Sequence, residues 1–192
     1  MLLDRAVPGV AAPCVRAEGR EALTALAAHL AALGRGARPS SSRPRAPRRG
    51  RAAGAVPGRA GRARHRAARG ADRLLPGPLA RRGRHVMASL LNLPEPPDAV
   101  LATDNLMALG ALDEVRAQGL SIPADVALVA FDDVPWFAHT DPPLTAIAQP
   151  TRALGRAAVH ALLERIEGRP AGSVLLPARL VTRRSCGEPP TH

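Results

Sequence analysis

Two short apolar runs, each followed by acidic or amide side chains, constrain the fold of this chain more than any other feature. The first run covers residues 99–103 and is interrupted by Asp104-Asn105, and the second covers residues 126–131 and ends in Asp132-Asp133. Runs of this length are typical of strands buried in a parallel sheet. Open α/β sheets bind ligands outside the carboxyl ends of such strands. The pattern predicts an α/β fold with a ligand site at that edge.

A predicted helix connects the two runs. Residues 105–118 place four apolar side chains on one face and polar side chains opposite, and Gly119 is expected to end the helix. The apolar side chains are Leu106, Leu109, Leu112 and Val115. Strand, helix and strand in this order favour a doubly wound parallel sheet.

The same alternation of strand-like and helix-like patterns predicts the other elements of residues 85–192. We expect helices at 86–93 and 151–167, a loop at 132–143, a strand at 144–148, and closing strands near 173–176 and 178–183. The second helix is expected to bury Leu154, Ala158, Leu162 and Ile166 and to stop at Gly168.

Residues 1–34 form a second zone with folded character. Leu2 to Arg5 is predicted to be the end of a strand, and residues 20–33 are predicted to form an amphipathic helix that stops at Gly34. The expected inward side chains are Leu23, Leu26, Leu30 and Leu33.

The charge is concentrated between these zones. All 27 basic residues are Arg, and sixteen of them lie in residues 35–84, where Asp72 is the only acid, so this segment is net +15 and the remainder net −4. The segment has no apolar period of 2 or 3.6, which predicts disorder, because too little surface can be buried to offset ordering. Such a tract binds nucleic acid, if at all, without sequence preference.

Several functional classes find no support in the residues. Cys14 and Cys186 lack metal-ligand spacing, no secretory leader is recognisable, and no apolar run approaches the length of a membrane span. No nucleophile has a candidate base partner. We therefore expect a cytoplasmic chain with free thiols that is not an enzyme and uses no metal or cofactor.

Ordered motifs in both folded zones closely resemble the ligand-sensing domain of LacI/GalR-family transcriptional regulators. The resemblance implies a two-lobed, periplasmic-binding-protein-like fold, in which 85–192 is a nearly complete C-terminal lobe and 1–34 a fragment of the N-terminal lobe. The matching segments are Leu3-Asp4-Arg5, Val15-Arg16-Ala17-Glu18, residues 29–34, Pro97-Asp98-Ala99-Val100, residues 104–112, residues 119–126, Phe131-Asp132-Asp133, Pro142-Pro143-Leu144-Thr145, Gln149-Pro150 and residues 180–185.

The chain also departs from that family. The DNA-binding helix-turn-helix and the first sensor strands would precede Leu2, and residues 35–84 keep the family's length but not its strand–helix–strand pattern. An Arg/Pro/Ala/Gly/Ser tract without Lys is what a GC-rich gene yields in the wrong frame. One hypothesis is an out-of-frame translation between shifts near Gly34 and His85, and the alternative is a genuine Arg-rich linker. Sequencing the gene distinguishes them.

Four side chains are candidate ligand contacts. The Asp132 carboxylate, at the end of a strand, can accept hydrogen bonds from two vicinal sugar hydroxyls, and the resemblance places it at the effector pocket. The alternative for Asp132-Asp133 is helix or loop capping, which we favour for Asp133. The resemblance also places Asp104 towards the effector, although capping of the following helix explains one of Asp104 and Asn105.

The remaining two candidates are Asp4 and Trp136. Asp4 ends the matching strand of the N-terminal zone and is expected to face the cleft. Trp136 follows Asp132-Asp133 in a loop and can stack on a sugar ring, but the alternative of a loop anchor that packs on the sheet or the dimer surface is slightly favoured.

The resemblance implies an effector-sensing domain for a sugar or related small molecule. In an intact relative the effector binds between the lobes, and the protein is a homodimer. Operator DNA is expected to be bound only through an N-terminal module, which is missing here. No membrane is expected to be involved. Two alternatives remain: a solute-binding protein of a sugar transporter, which needs an export signal and a full first lobe, and a non-specific Arg-rich nucleic-acid-binding protein.

Overall fold

Strands alternate with helices along the chain, as the apolar pattern predicts. The computed structural model describes residues 1–5, 7–36 and 75–187. The elements within these ranges are β1 (Leu2–Leu3), β2 (Cys14–Glu18), α1 (Arg20–Ala32), α2 (Gly77–Leu91), β3 (Ala99–Ala102), α3 (Asn105–Ala117), β4 (Ala127–Phe131), β5 (Thr145–Ala148), α4 (Thr151–Ile166), β6 (Val174–Pro177) and β7 (Arg179–Val181). Short 3-10 helices cover Pro135–His139, within the predicted loop, and Arg184–Cys186.

The chain divides into two compact units. Unit 1 joins Met1–His29 to Ile147–Val181, and unit 2 joins Leu30–Ala146 to the segment from Thr182 onward. This differs from the predicted division at residues 34 and 85. The physical reason is that the late strand β6 pairs with β2, so residues from the last third of the chain complete the amino-terminal sheet.

Unit 1 contains a parallel sheet in the order β1-β2-β6. Its central strand β2 was not predicted as a strand, and Val15 in that strand lies opposite Val174. Helix α4 covers one face of the sheet, where Leu154 and Ala158 pack with Val15 in a small core. The expected strand before Asp4 and the helix after Gly19 are both present.

The predicted inward faces of α1 and α4 are only partly correct. In α4, Leu162 and Ile166 are 47% and 71% exposed, although they were expected to be buried. The buried residues of this helix are Leu154, Ala158 and Ala161, so its covered stripe passes beside Leu162 and Ile166. In α1, Leu26 is buried but Leu23 is exposed.

The second sheet has the order β3-β4-β5-β7. Strands β3 and β4 are parallel, with Ala99 opposite Ala127. Residues 127–130 of β4 are buried, as expected for the centre of a covered sheet. The core of unit 2 forms around them from Met87, Leu112, Val115, Phe137 and Leu144, among others.

Helix α2 corrects the predicted boundary at residue 84. It begins at Gly77 rather than at 86, and Ala80, Gly83 and Arg84 within it are buried. Arg84 lies 3.0 Å from carboxylate oxygens of both Asp113 and Glu114 in α3. Small residues and the two ion pairs of Arg84 hold the first turns of this helix, and neither produces the pattern of large aliphatic side chains by which a helix is predicted.

The other end of the predicted disordered segment is also ordered. Arg35 is buried; its Nε donates to the carbonyl of Cys186 and its Nη1 to the carbonyl of Asp98, each at 2.9 Å. The amide of Gly36 donates to the Asp98 carboxylate. Residues 37–74, on which the remaining prediction of disorder falls, lie outside the described residues.

Within the described ranges, no helix combines the length and apolarity that crossing a membrane requires.

Candidate functional site

Asp132 lies directly after the central strand β4 and has a left-handed backbone, with φ of 68°. This conformation costs an ordinary L-residue roughly 1–2 kcal/mol. Among the described non-glycine residues, only Asp132 and Asp4 have a positive φ, and both were predicted as ligand contacts. Strained backbone of this kind clusters at ligand sites, because the surrounding structure must maintain it.

Asp4 occupies the corresponding position in unit 1. It follows β1 with φ of 69°, and its amide donates to the Val15 carbonyl at 2.8 Å. This hydrogen bond ties the residue after β1 to the neighbouring strand β2. The backbone of Asp4 is therefore held by the sheet, and its contact with a ligand stays a prediction.

Asp104 caps helix α3. Its Oδ1 accepts hydrogen bonds from the amides of Leu106 at 2.8 Å and Met107 at 3.3 Å. Of the two roles considered for this residue, the structure therefore shows the cap. Asp104 follows β3 and Asp132 follows β4, and because these strands are parallel neighbours, both residues lie at the same edge of the sheet.

Asp133 is not a cap, which corrects the expectation for this residue. Its two carboxylate oxygens accept hydrogen bonds from Nη1 and Nη2 of Arg183, each at 2.9 Å. The 3-10 helix that follows begins after Val134, without a side-chain cap. Arg183 is the residue that the sequence analysis missed: it lies 50 positions away, and no local signal pairs it with Asp133.

Trp136 packs against neighbouring side chains of its own unit, as expected for a residue that anchors its loop. Its ring meets Phe137 edge-on, with centroids 4.4 Å apart and planes at 79°. Phe137 is fully buried, and Trp136 is half-buried against the core of unit 2. Stacking of Trp136 on a ligand stays a prediction.

A cavity of about 600 Å³ in unit 2 does not contain the predicted residues. It lies beside the end of α3 and the loop that enters β4, at the opposite end of β4 from Asp132. Its lining consists of Leu112, Val115, Arg116, Leu120, Ser121, Ile122, Pro123, Asp141, Pro142, Arg184 and Gly187. The cavity and the candidate carboxylates are therefore separate features of this unit.

The cysteines are free and buried. Burial raises the pKa of the Cys186 thiol, although hydrogen bonds with Thr145 and Ser185 and the charge of Arg35 act in the opposite direction. Within residues 1–5, 7–36 and 75–187, no group of three or more His, Cys, Asp or Glu side chains is arranged to hold a metal ion.

Comparison with known proteins identifies relatives of this domain. The HTH-type transcriptional repressor CytR of Escherichia coli K12 is 42% identical over 105 residues, which cover 54% of this chain and 31% of the relative. The match thus spans about a third of that relative's length.

Solved structures support the same relationship. A LacI family transcriptional regulator from Enterococcus faecalis V583, with bound ribose, is 29% identical with a TM-score of 0.51, over 57% of this chain and 40% of that one. An uncharacterised protein from Actinobacillus succinogenes is 26% identical with a TM-score of 0.68, over 97% of this chain and 69% of that one.

A family model matches most of the chain. Residues 27–186 match the model of the periplasmic binding protein-like domain. This confirms the α/β fold class and the resemblance on which the sequence interpretation depends. The chain therefore belongs to the periplasmic binding protein-like domain family, in the form found in LacI/GalR-type regulators.

Proposed function

We propose that this chain is the effector-sensing domain of a LacI/GalR-type transcriptional regulator that acts in the cytoplasm, and that its effector is a sugar or a related polyhydroxylated molecule. The observation that carries the proposal is the left-handed Asp132 at the carboxyl end of β4. The ribose bound to the Enterococcus faecalis relative supports the class of effector.

The chemistry of the two unit 2 carboxylates fits such a ligand. A carboxylate accepts hydrogen bonds through both oxygens, so Asp132 can receive two adjacent hydroxyls of one sugar. Both cap bonds of Asp104 end on Oδ1. We propose that Oδ2 of Asp104 accepts a further ligand hydroxyl, so that one carboxylate serves helix and ligand together.

A sensing domain binds its effector and does not convert it into a product. An effector changes the behaviour of a regulator only through its different affinities for two conformations. Operator binding through a helix-turn-helix module and homodimerisation are proposed for the intact regulator, in keeping with the naming of CytR as an HTH-type repressor.

Isothermal titration calorimetry with D-ribose, D-galactose, maltose and cellobiose tests the proposal. At least one sugar is expected to bind, and Asp132→Ala is expected to abolish that binding, because nothing replaces the lost acceptors. Glu95→Ala is the matched control, since Glu95 is an exposed acid outside the site. Unchanged affinity in Asp132→Ala would remove this residue from the site, and failure of all four sugars to bind would contradict the effector class.

A further inference from the structure

We infer that Arg183 is a positioning residue for the effector site. Its guanidinium holds the backbone after β4, so that Asp132 stays in its left-handed conformation and presents its carboxylate to the ligand. The inference about the ligand rests on the proposed function, whereas the inference about the Asp132 backbone does not.

Arg183 and Asp133 form a bidentate ion pair, which we call the fork. Nη1 and Nη2 donate to Oδ1 and Oδ2 at 2.9 Å each, and Nη1 also donates to the Leu144 carbonyl at 2.6 Å. The two side chains are only 20% and 18% exposed, which limits screening by salt. A planar fork of this kind fixes orientation as well as distance.

Arg183 is itself fixed by buried hydroxyl groups. Its amide donates to Oγ1 of Thr145, and that hydroxyl donates to the Arg183 carbonyl, both at 2.9 Å. Oγ of Ser185 accepts from the Thr145 amide at 2.8 Å and donates to the Leu128 carbonyl in β4 at 2.6 Å. Thr145 and Ser185 are fully buried. The segment that carries Arg183 is therefore tied to both β4 and β5.

These contacts leave Asp132 between two immobilised neighbours. Phe131 before it is the last residue of β4, and Asp133 after it is held by the fork. A strained backbone persists only where the surrounding structure determines it. Loss of the fork frees Asp133, so Asp132 can relax towards an extended conformation and its carboxylate leaves the position that the ligand needs.

A ligand-free measurement tests the backbone part of the inference. The Cα and Cβ carbon shifts of Asp132, which report backbone conformation, are compared in the full chain and in Arg183→Gln, Arg183→Lys and Asp133→Asn. We expect Arg183→Gln and Asp133→Asn to move these shifts out of the left-handed range. Arg183→Lys should give a smaller change, because lysine keeps the charge but not the fork. Arg184→Gln is the control and should change nothing.

Calorimetry with D-ribose tests the consequence for binding. Arg183→Gln is expected to lower the affinity at least tenfold in the wild-type background and to leave it within twofold in an Asp132→Asn background. A general structural role would instead give the same loss in both backgrounds.

The outcomes separate the two proposals. If D-ribose does not bind the wild-type chain, the same comparison is made with whichever of the other three sugars binds, and the carbon shifts decide the role of Arg183 even if none of them binds. If Arg183→Gln does not fold, Arg183→Lys and Asp133→Asn provide the same comparison. Left-handed shifts of Asp132 that persist in every folded variant lacking the fork would overturn the inference, as would equal losses of affinity in the two backgrounds.

Discussion

The carboxylates that follow β3 and β4 differ in what holds them. Asp104 is bound by the amides at the start of α3, Asp133 is bound by Arg183, and Asp132 has a left-handed backbone. The start of a helix restricts the Asp104 side chain and an ion pair restricts the Asp133 side chain, whereas Asp132 is distinguished by its backbone dihedral angle. Substitutions at these residues therefore have different expected effects.

Removal of the cap at Asp104 is expected to cost stability. Asp104→Ala leaves the amides of Leu106 and Met107 without their acceptor, which should lower the free energy of unfolding by about 1 kcal/mol. Asp104→Ser keeps a capping oxygen and should lose much less. Urea denaturation measures both variants, and equal losses would show that the cap contributes little.

The buried Cys186 thiol is expected to make stability depend on alkaline pH. Because its pKa is raised in the folded chain, the unfolded chain loses this proton first as the pH rises past the ordinary thiol value of 9.0. The stabilisation that the protonated Cys186 thiol gives to the folded chain is present below that pH, and it is lost as the pH rises to the pKa of the thiol in the folded chain. Urea denaturation between pH 7 and pH 10 should show a steeper decline for the wild-type chain than for Cys186→Ala. Parallel declines would contradict this account.

Among the elements, helices α2 and α3 approach each other at two glycines. A Cβ at Gly83 would overlap the Met107 backbone, and a Cβ at Gly110 would overlap the backbone of Ala80 and Arg84. The two helices can therefore lie this close together only because neither position carries a Cβ atom.

Gly110→Ala is expected to lower the free energy of unfolding by about 1–3 kcal/mol, because the two helices must separate. Gly155→Ala is the matched control: Gly155 lies within α4, and a Cβ there meets nothing within 4 Å. That substitution should raise stability by up to about 1 kcal/mol through helix propensity. Thermal or urea denaturation compares the two, and a neutral Gly110→Ala would show that the helices can adjust.

The elements also show what the sequence can predict. Strands β3 and β4 and helix α3 match their predicted bounds within one residue, because apolar runs and a helical period are local signals. Strand β2 was missed because its partner β6 is about 160 residues away, and the start of α2 was missed because small residues and ion pairs hold it. At the candidate site, the positions of the acidic residues after the strands were predictable, their contact with a ligand stays a prediction, and the pairing of Arg183 with Asp133 required the tertiary structure.

At the scale of the whole molecule, the charge is unevenly distributed. Residues 35–84 carry sixteen Arg and one Asp, while the remaining residues are net negative. Any DNA binding by this chain is therefore expected to be electrostatic and indifferent to sequence. A gel-shift titration with an operator-like palindrome and a scrambled duplex should give affinities within tenfold of each other, both falling steeply between about 50 mM and 200 mM salt. A stronger preference for the palindrome would contradict this prediction.

We propose that the effector binds at the carboxyl edge of β3 and β4. Amide chemical shifts of the full chain, followed during titration with whichever of the four sugars binds, locate the ligand directly. We predict the largest changes at residues 103–106 and 131–134. Changes centred on the cavity at residues 120–123 and Arg184, with the strand ends unaffected, would contradict the account.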